Sequence, residues 1–213
     1  AAPADEPSSS TVAQKPIRDK WALVVGISKF KDPALNLKFP ANDAKDFYNF
    51  LVTDGKFAKD HVKLLINEQA TRENILELLG DKWLPRAAMP GDLVVIYLST
   101  HGSPSEMDVG GVNYIVAYDT NKDSLYASGI AMQDLSRIIK ARVHSDRTLI
   151  VLDACHSGAT NPEEKGIVRP ANVDAEVISQ GTGQMVICSS LPNETSWESK
   201  NAQNSVFTKR LLE

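Results

Sequence analysis

With 213 residues, 42% of them hydrophobic and 23% charged, the chain has the size and composition of one ordinary-to-large soluble domain with ample core. A net charge of -4 with no Lys/Arg block argues against a nucleic-acid-binding surface, and no apolar run approaches the ~20 residues needed to span a bilayer. Two cysteines, Cys155 and Cys188, are too few for a disulfide framework, and neither zinc-ligand spacing nor a glycine-rich phosphate loop is visible.

Residues 1–19 open on small, polar, proline-containing sequence (AAPADEPSSS) without periodicity, which reads as a disordered leader or linker. Such a stretch is compatible with the residue of a removed signal peptide, which would place the protein outside the cytoplasm, and equally with an arbitrary boundary in a cytoplasmic one. From Lys20 onward strands and helices alternate, so residues 20–213 are expected to form one α/β domain. Trp21-Ala-Leu-Val-Val-Gly-Ile27 is a continuous apolar run, as in a strand buried on both faces. Asn42 suits the cap of a helix with Ala44, Phe47, Tyr48 and Leu51 on one side. Val62–Ile66 predicts a second strand. Thr71 predicts the cap of a helix that faces Ile75, Leu76, Leu78 and Leu79 inward, with Pro85 and Pro90-Gly91 ending that unit.

The next strand, from Asp92, stops on Ser99-Thr-His101-Gly102. A short strand around 113–118, a helix with Met132, Leu135, Ile138 and Ile139 as its apolar stripe, and a strand from Arg147 to Cys155 follow. A polar loop from Ala159 to about Asp174 leads to a last strand around Met185–Cys188, where Cys188 reads as a small buried apolar residue. The final residues, 205–213, stop in what reads as the middle of a helix, which suggests a longer parent protein. Alternating units of this kind predict a mostly parallel sheet with helices on both faces.

Two strands therefore end alike, on a reactive side chain followed closely by glycine. The carboxyl ends of parallel strands share one rim, where active sites collect. His101 and Cys155, 54 positions apart, are placed there to act as base and nucleophile. Gly102 lets a substrate backbone approach, and its N–H together with that of Cys155 suits an oxyanion hole, where a donor is worth ~3–4 kcal/mol. Each residue alone reads more simply as structural; together they point to a cysteine peptidase. His156 should face away from Cys155, and His61 and His144 read as surface residues.

Ser99-Thr-His101-Gly102 and Asp153-Ala-Cys155-His-Ser-Gly158 resemble the two signatures of the caspase-like superfamily, most closely metacaspases and their prokaryotic relatives, the orthocaspases. The resemblance runs from about Lys20 to the C-terminus and takes in the opening strand, Leu37-Lys-Phe-Pro-Ala-Asn-Asp43-Ala44 and Ser189-Ser190…Ser196-Trp-Glu198. It implies a caspase-haemoglobinase fold, a His101–Cys155 dyad, protein or peptide substrates, and a monomer. It also implies that Asp43 holds a basic side chain before the scissile bond, assisted by Asp153 and Ser99. Caspases carry an arginine six residues before the position of Asp43; here that residue is Leu37, with Lys38 beside it. Cleavage after Arg or Lys is therefore expected, since cationic side chains need carboxylates.

Many metacaspases bind activating calcium through an acidic cluster that includes an Asp-Asp pair. The corresponding stretch here is Ala131-Met-Gln-Asp134. Asp108, Asp119 and Asp123 remain, but a hard cation needs six or more converging oxygens, so no metal or other cofactor is expected. Lys165, in the 159–174 loop, is a candidate self-cleavage site, and Arg169 a poorer one because proline follows it. The competing reading is a caspase-like scaffold with a silent peptidase that binds protein partners; a third keeps the enzyme but with Asp preference.

Overall fold

The computed structural model describes residues 16–103, 107–154, 184–189 and 203–213. The leader assignment for its first fifteen residues, the residues 155–183 with Cys155, His156, Gly158, Lys165 and Arg169, and Ser190, Ser196 and Glu198 lie outside the described residues.

Five parallel strands form the central sheet in the order β2-β1-β3-β6-β7: β1 (Lys20–Gly26), β2 (Val62–Ile66), β3 (Leu93–Thr100), β6 (Arg147–Ala154) and β7 (Gln184–Cys188). Two short strands, β4 (Tyr114–Ile115) and β5 (Ile130–Ala131), pair antiparallel in a separate sheet. The apolar runs β1 and β3 are buried on both faces because helices cover each side. On one side α1 (Pro40–Thr53) and α6 (Val206–Leu212) pack Phe47, Leu51, Phe207 and Leu211 over Ala22, Val24, Val95, Tyr97 and Val151. On the other, α2 (Arg72–Gly80) and α5 (Met132–Arg142) pack Ile75, Leu79, Leu135 and Ile139 over Leu23, Val25, Ile96, Leu98 and Ile150. Two four-residue helices, α3 (Leu84–Ala87) and α4 (Leu125–Ser128), complete the α-helices of the described residues.

Thr71 caps α2 as expected, its hydroxyl accepting from the Asn74 N–H at 3.2 Å. Two expectations need correction. Asn42 is not a cap: it sits inside α1, which begins at Pro40 behind Phe39. Proline is favoured at the first helical position because its missing N–H has no intrahelical partner there, and this outweighs the side-chain preference of Asn42. Pro85 likewise does not end a unit but lies in the first turn of α3. Cys188 is half-buried rather than buried. His144 is exposed, whereas His61 is half-buried, stacked on Trp21 at 3.7 Å with Nδ1 3.0 Å from Asp19 Oδ1. Among the described residues no helix is long and apolar enough to cross a membrane.

Candidate active site

The strand registers align a row of residues across the carboxyl rim. Gly26 of β1 pairs with Ser99 of β3, and Ser99 pairs with Asp153 of β6. Side chains of paired residues in adjacent strands share a face, here the face covered by α1 and α6. Gly26 permits this arrangement: a Cβ there would lie 2.3 Å from the Pro40 carbonyl oxygen and 2.5 Å from Ala44 Cβ. Without one, the first turn of α1 settles onto the strand end and carries Asp43 into the row. Asp43, Ser99 and Asp153 are all 0% exposed.

Burying two carboxylates together is costly unless hydrogen bonds serve them. Both are served by one residue, Ser205. Its N–H donates to Asp43 (3.0 Å to Oδ1, 3.3 Å to Oδ2) and its hydroxyl donates to Asp153 Oδ2 at 2.6 Å. Thr208, one turn on, donates its hydroxyl to the same Oδ2 at 3.1 Å. That hydroxyl accepts in turn from Tyr97 OH at 2.7 Å, because its own hydrogen is committed to the carboxylate. Burial first, then the charge of Asp153, push the Asp43 carboxyl up to about 7, with the Ser205 N–H opposing. Burial and the Asp153 charge also raise the Tyr97 phenol well above its usual value, keeping it a donor. Ser99 Oγ is buried beside the acidic pair, close enough to the Tyr97 hydroxyl to oppose the rise of its phenol, and has no full hydrogen-bond partner among the described residues.

His101 follows the last residue of β3 and is 5% exposed. Its Nε2 lies 2.8 Å from the carbonyl oxygen of Leu35. A carbonyl only accepts, so Nε2 carries the hydrogen and, in the neutral ring, Nδ1 holds the lone pair. The loop that offers this carbonyl is tied down at several points. Ser28 Oγ accepts the Ala41 N–H at 2.9 Å, Asn36 Oδ1 accepts the Phe30 N–H at 2.9 Å, and Asp32 caps the short 3-10 turn at Pro33–Leu35. Phe30 packs against the imidazole, ring centroids 5.4 Å apart. Sequence reasoning missed Leu35, since a backbone acceptor leaves no signature in side-chain identity.

The β3–β6 register ends with Thr100 opposite Ala154, so the next residue along each strand is His101 and Cys155 respectively, the latter outside the described residues. Gly102 bridges antiparallel to Ile115 through flanking bonds, Val116 N–H to His101 O at 2.9 Å and Ser103 N–H to Tyr114 O at 2.8 Å. Neither bond uses the Gly102 N–H, which the pairing turns away from β4.

Three other carboxylates considered for a cation serve local structure. Asp108 accepts from the N–H groups of Gly110 and Val112 and from Tyr114 OH, Asp119 accepts the first N–H of α2 from Arg72 at 2.8 Å, and Asp134 pairs with Arg137. Among the described residues, no group of three or more His, Cys, Asp or Glu side chains could hold a metal ion. Leu37 is half-buried against the core, and the Lys38 ammonium lies over the Phe39 ring, 4.7 Å from its centroid.

The caspase domain model matches residues 19–213. The chain is 29% identical over 174 residues to Metacaspase-1 of Lodderomyces elongisporus, covering 74% of this chain and 38% of that protein. It is 29% identical over 157 residues to Metacaspase-4 of Arabidopsis thaliana, covering 68% and 35%. The chain thus spans little more than a third of the curated relatives it matches, and these fungal and plant proteins do not single out the prokaryotic branch. The crystal structure of Caspase-1 from Spodoptera frugiperda superposes with a TM-score of 0.57 at 14% identity, covering 93% of this chain and 69% of that one, so the two share the fold. The parallel sheet, the His101 rim and these similarities lead to one assignment: the chain belongs to the caspase domain family.

Proposed function

We propose that the domain is a cysteine endopeptidase that cleaves proteins after Arg or Lys through a His101–Cys155 dyad. The observation that carries the specificity is the buried row of Asp43, Ser99 and Asp153, two positions before His101 and Cys155 along the sheet rim. Two carboxylates and a neighbouring hydroxyl oxygen suit a guanidinium or ammonium group and repel an aspartyl side chain.

The chemistry follows from the ring orientation. With Nε2–H donated to Leu35 O, Nδ1 accepts the proton of the Cys155 thiol. The thiolate attacks the scissile carbonyl, and the N–H groups of Gly102 and Cys155 stabilise the oxyanion. The C–N bond breaks as the imidazolium returns its proton to the leaving amine, leaving a thioester on Cys155. Water, deprotonated by the same Nδ1, then hydrolyses the thioester and releases the free carboxylate and the thiol. Self-cleavage at Lys165 belongs to the same reading. So does the domain division, with residues 20–213 as the peptidase unit and residues 1–19 outside it.

Fluorogenic peptides ending in Arg, Lys or Asp, assayed with and without chelator and with Cys155→Ala as control, test the proposal. Cleavage after Arg and Lys that vanishes in the variant is the expected result. Cleavage after Asp overturns the role of Asp43 and Asp153; no cleavage together with an alkylation-resistant Cys155 favours the scaffold.

A further inference from the structure

We infer that Ser205 and Thr208 of the C-terminal segment, backed by Tyr97, are positioning residues for basic-side-chain recognition: they hold Asp153 and Asp43 in the orientation that receives the cation. The inference rests on the Arg/Lys reading above and assigns it residues that no motif in the sequence signalled.

Every polar atom of Ser205 has a defined duty. Its N–H donates to Asp43, its hydroxyl donates to Asp153 and accepts the Thr208 N–H at 3.1 Å, and its carbonyl accepts the Lys209 N–H at 3.0 Å. Ser205 is 2% exposed and Thr208 0% exposed, so water cannot substitute for either. Two hydroxyls converge on Asp153 Oδ2, at 2.6 and 3.1 Å, and together fix the rotation of the carboxyl plane. Thr208 is itself fixed, because Tyr97 OH occupies its acceptor side at 2.7 Å and the Tyr97 ring stacks on Phe47 of α1 at 4.5 Å. The chain Phe47–Tyr97–Thr208–Asp153 therefore runs from the helix that bears Asp43 to the strand that bears Asp153. A pair of carboxylates held in one orientation loses less freedom on pairing with a guanidinium than a pair free to rotate.

A purely structural role for these hydroxyls would lower the amount of folded enzyme and reduce turnover alike for all substrates. A positioning role raises KM selectively. Thr208→Val keeps the shape and removes the hydroxyl; Thr208→Ser restores it. The expected result is a KM for Arg and Lys peptides raised about tenfold in Thr208→Val, the scale of a lost hydrogen bond to a charged group. Cleavage at saturating peptide and the rate of Cys155 alkylation stay within about twofold, and Thr208→Ser returns to near wild type. If Thr208→Val does not fold, Tyr97→Phe carries the test, since it preserves the stacked ring and removes only the hydroxyl that anchors Thr208; a selective rise in KM is again expected. Unchanged KM in folded Thr208→Val or Tyr97→Phe, or equal loss in kcat alone, overturns the inference while leaving the Arg/Lys reading intact. A wild-type enzyme that cleaves no basic peptide although Cys155 alkylates readily overturns both.

Discussion

His101 and Leu35 are 66 positions apart in sequence and are joined by a 2.8 Å hydrogen bond from the imidazole Nε2–H to the Leu35 carbonyl. A backbone oxygen thereby does what a third side chain does in a triad: it selects one tautomer and leaves Nδ1 as the basic nitrogen. The precision of that oxygen depends on the loop behind it, where Asn36 Oδ1 receives the Phe30 N–H.

Asn36→Ala releases the loop without touching His101 or Asp43. Turnover of Arg peptides is expected to fall about tenfold, the effect of one weakened orienting hydrogen bond, with KM unchanged. Steady-state kinetics on the folded variant check this.

The Asp43 carboxyl titrates at about 7 in the fold against an ordinary 3.8. Its raised value means that the folded state binds the proton more tightly than the unfolded chain. The associated stability is fully present below about pH 4 and is lost as pH rises through about 7. Asp43→Asn removes this titration, so denaturant unfolding should show the variant gaining on wild type between pH 4 and pH 8. In the wild type, KM for Arg peptides should rise as pH falls below about 7, where protonated Asp43 no longer pairs with a cation. A pH profile of KM that is flat across this range contradicts the role of Asp43.

Gly26→Ala forces a Cβ to within 2.3 Å of the Pro40 carbonyl oxygen, a rigid backbone atom. The first turn of α1 has to move away from β1. Loss of stability of about 1–3 kcal/mol, the usual cost of overpacking, is expected together with weaker recognition of basic peptides. Thermal unfolding and KM on the same preparation measure the two effects.

Burial pushes the Cys188 thiol up to about 11, which leaves it almost wholly protonated and unreactive at neutral pH. Iodoacetamide at pH 7 should therefore label one thiol quickly, and Cys155→Ala should abolish that label. Mass spectrometry of the alkylated protein gives the answer directly.

Asp119 caps α2 through the Arg72 N–H. Asp119→Ala should cost about 1 kcal/mol of stability while cleavage remains insensitive to chelator and to added calcium. Activation by calcium that disappears in this variant contradicts the local role.

Most of the scaffold was legible because buried parallel strands are written as unbroken apolar runs: Val62–Ile66 is a strand with those bounds, and the His101 and Cys155 strands end where the glycine-flanked signatures begin. The acidic row was legible only through resemblance, as the identities of Asp43, Ser99 and Asp153 say nothing of register. The start of α1 was misread because a good capping side chain at Asn42 competed with a proline two residues earlier. β4 falls inside the short strand expected around 113–118, whereas the two-residue β5 carries too few residues for a period of two to declare itself. Leu35 and Ser205 were invisible for a different reason: each acts through a backbone group or a contact spanning much of the chain, and local pattern encodes neither.

The dependence of both carboxylates on Ser205 also has a temporal side. A polypeptide is made from its N-terminus, so Asp43 and Asp153 leave the ribosome before the donors that quench their mutual repulsion. A nascent chain ending short of position 205 has two carboxyl groups destined for one strand rim and neither the Ser205 nor the Thr208 donors to accommodate them. Arrival of α6 supplies the Ser205 and Thr208 donors, so the acidic row reaches its final arrangement only after position 208 has been made.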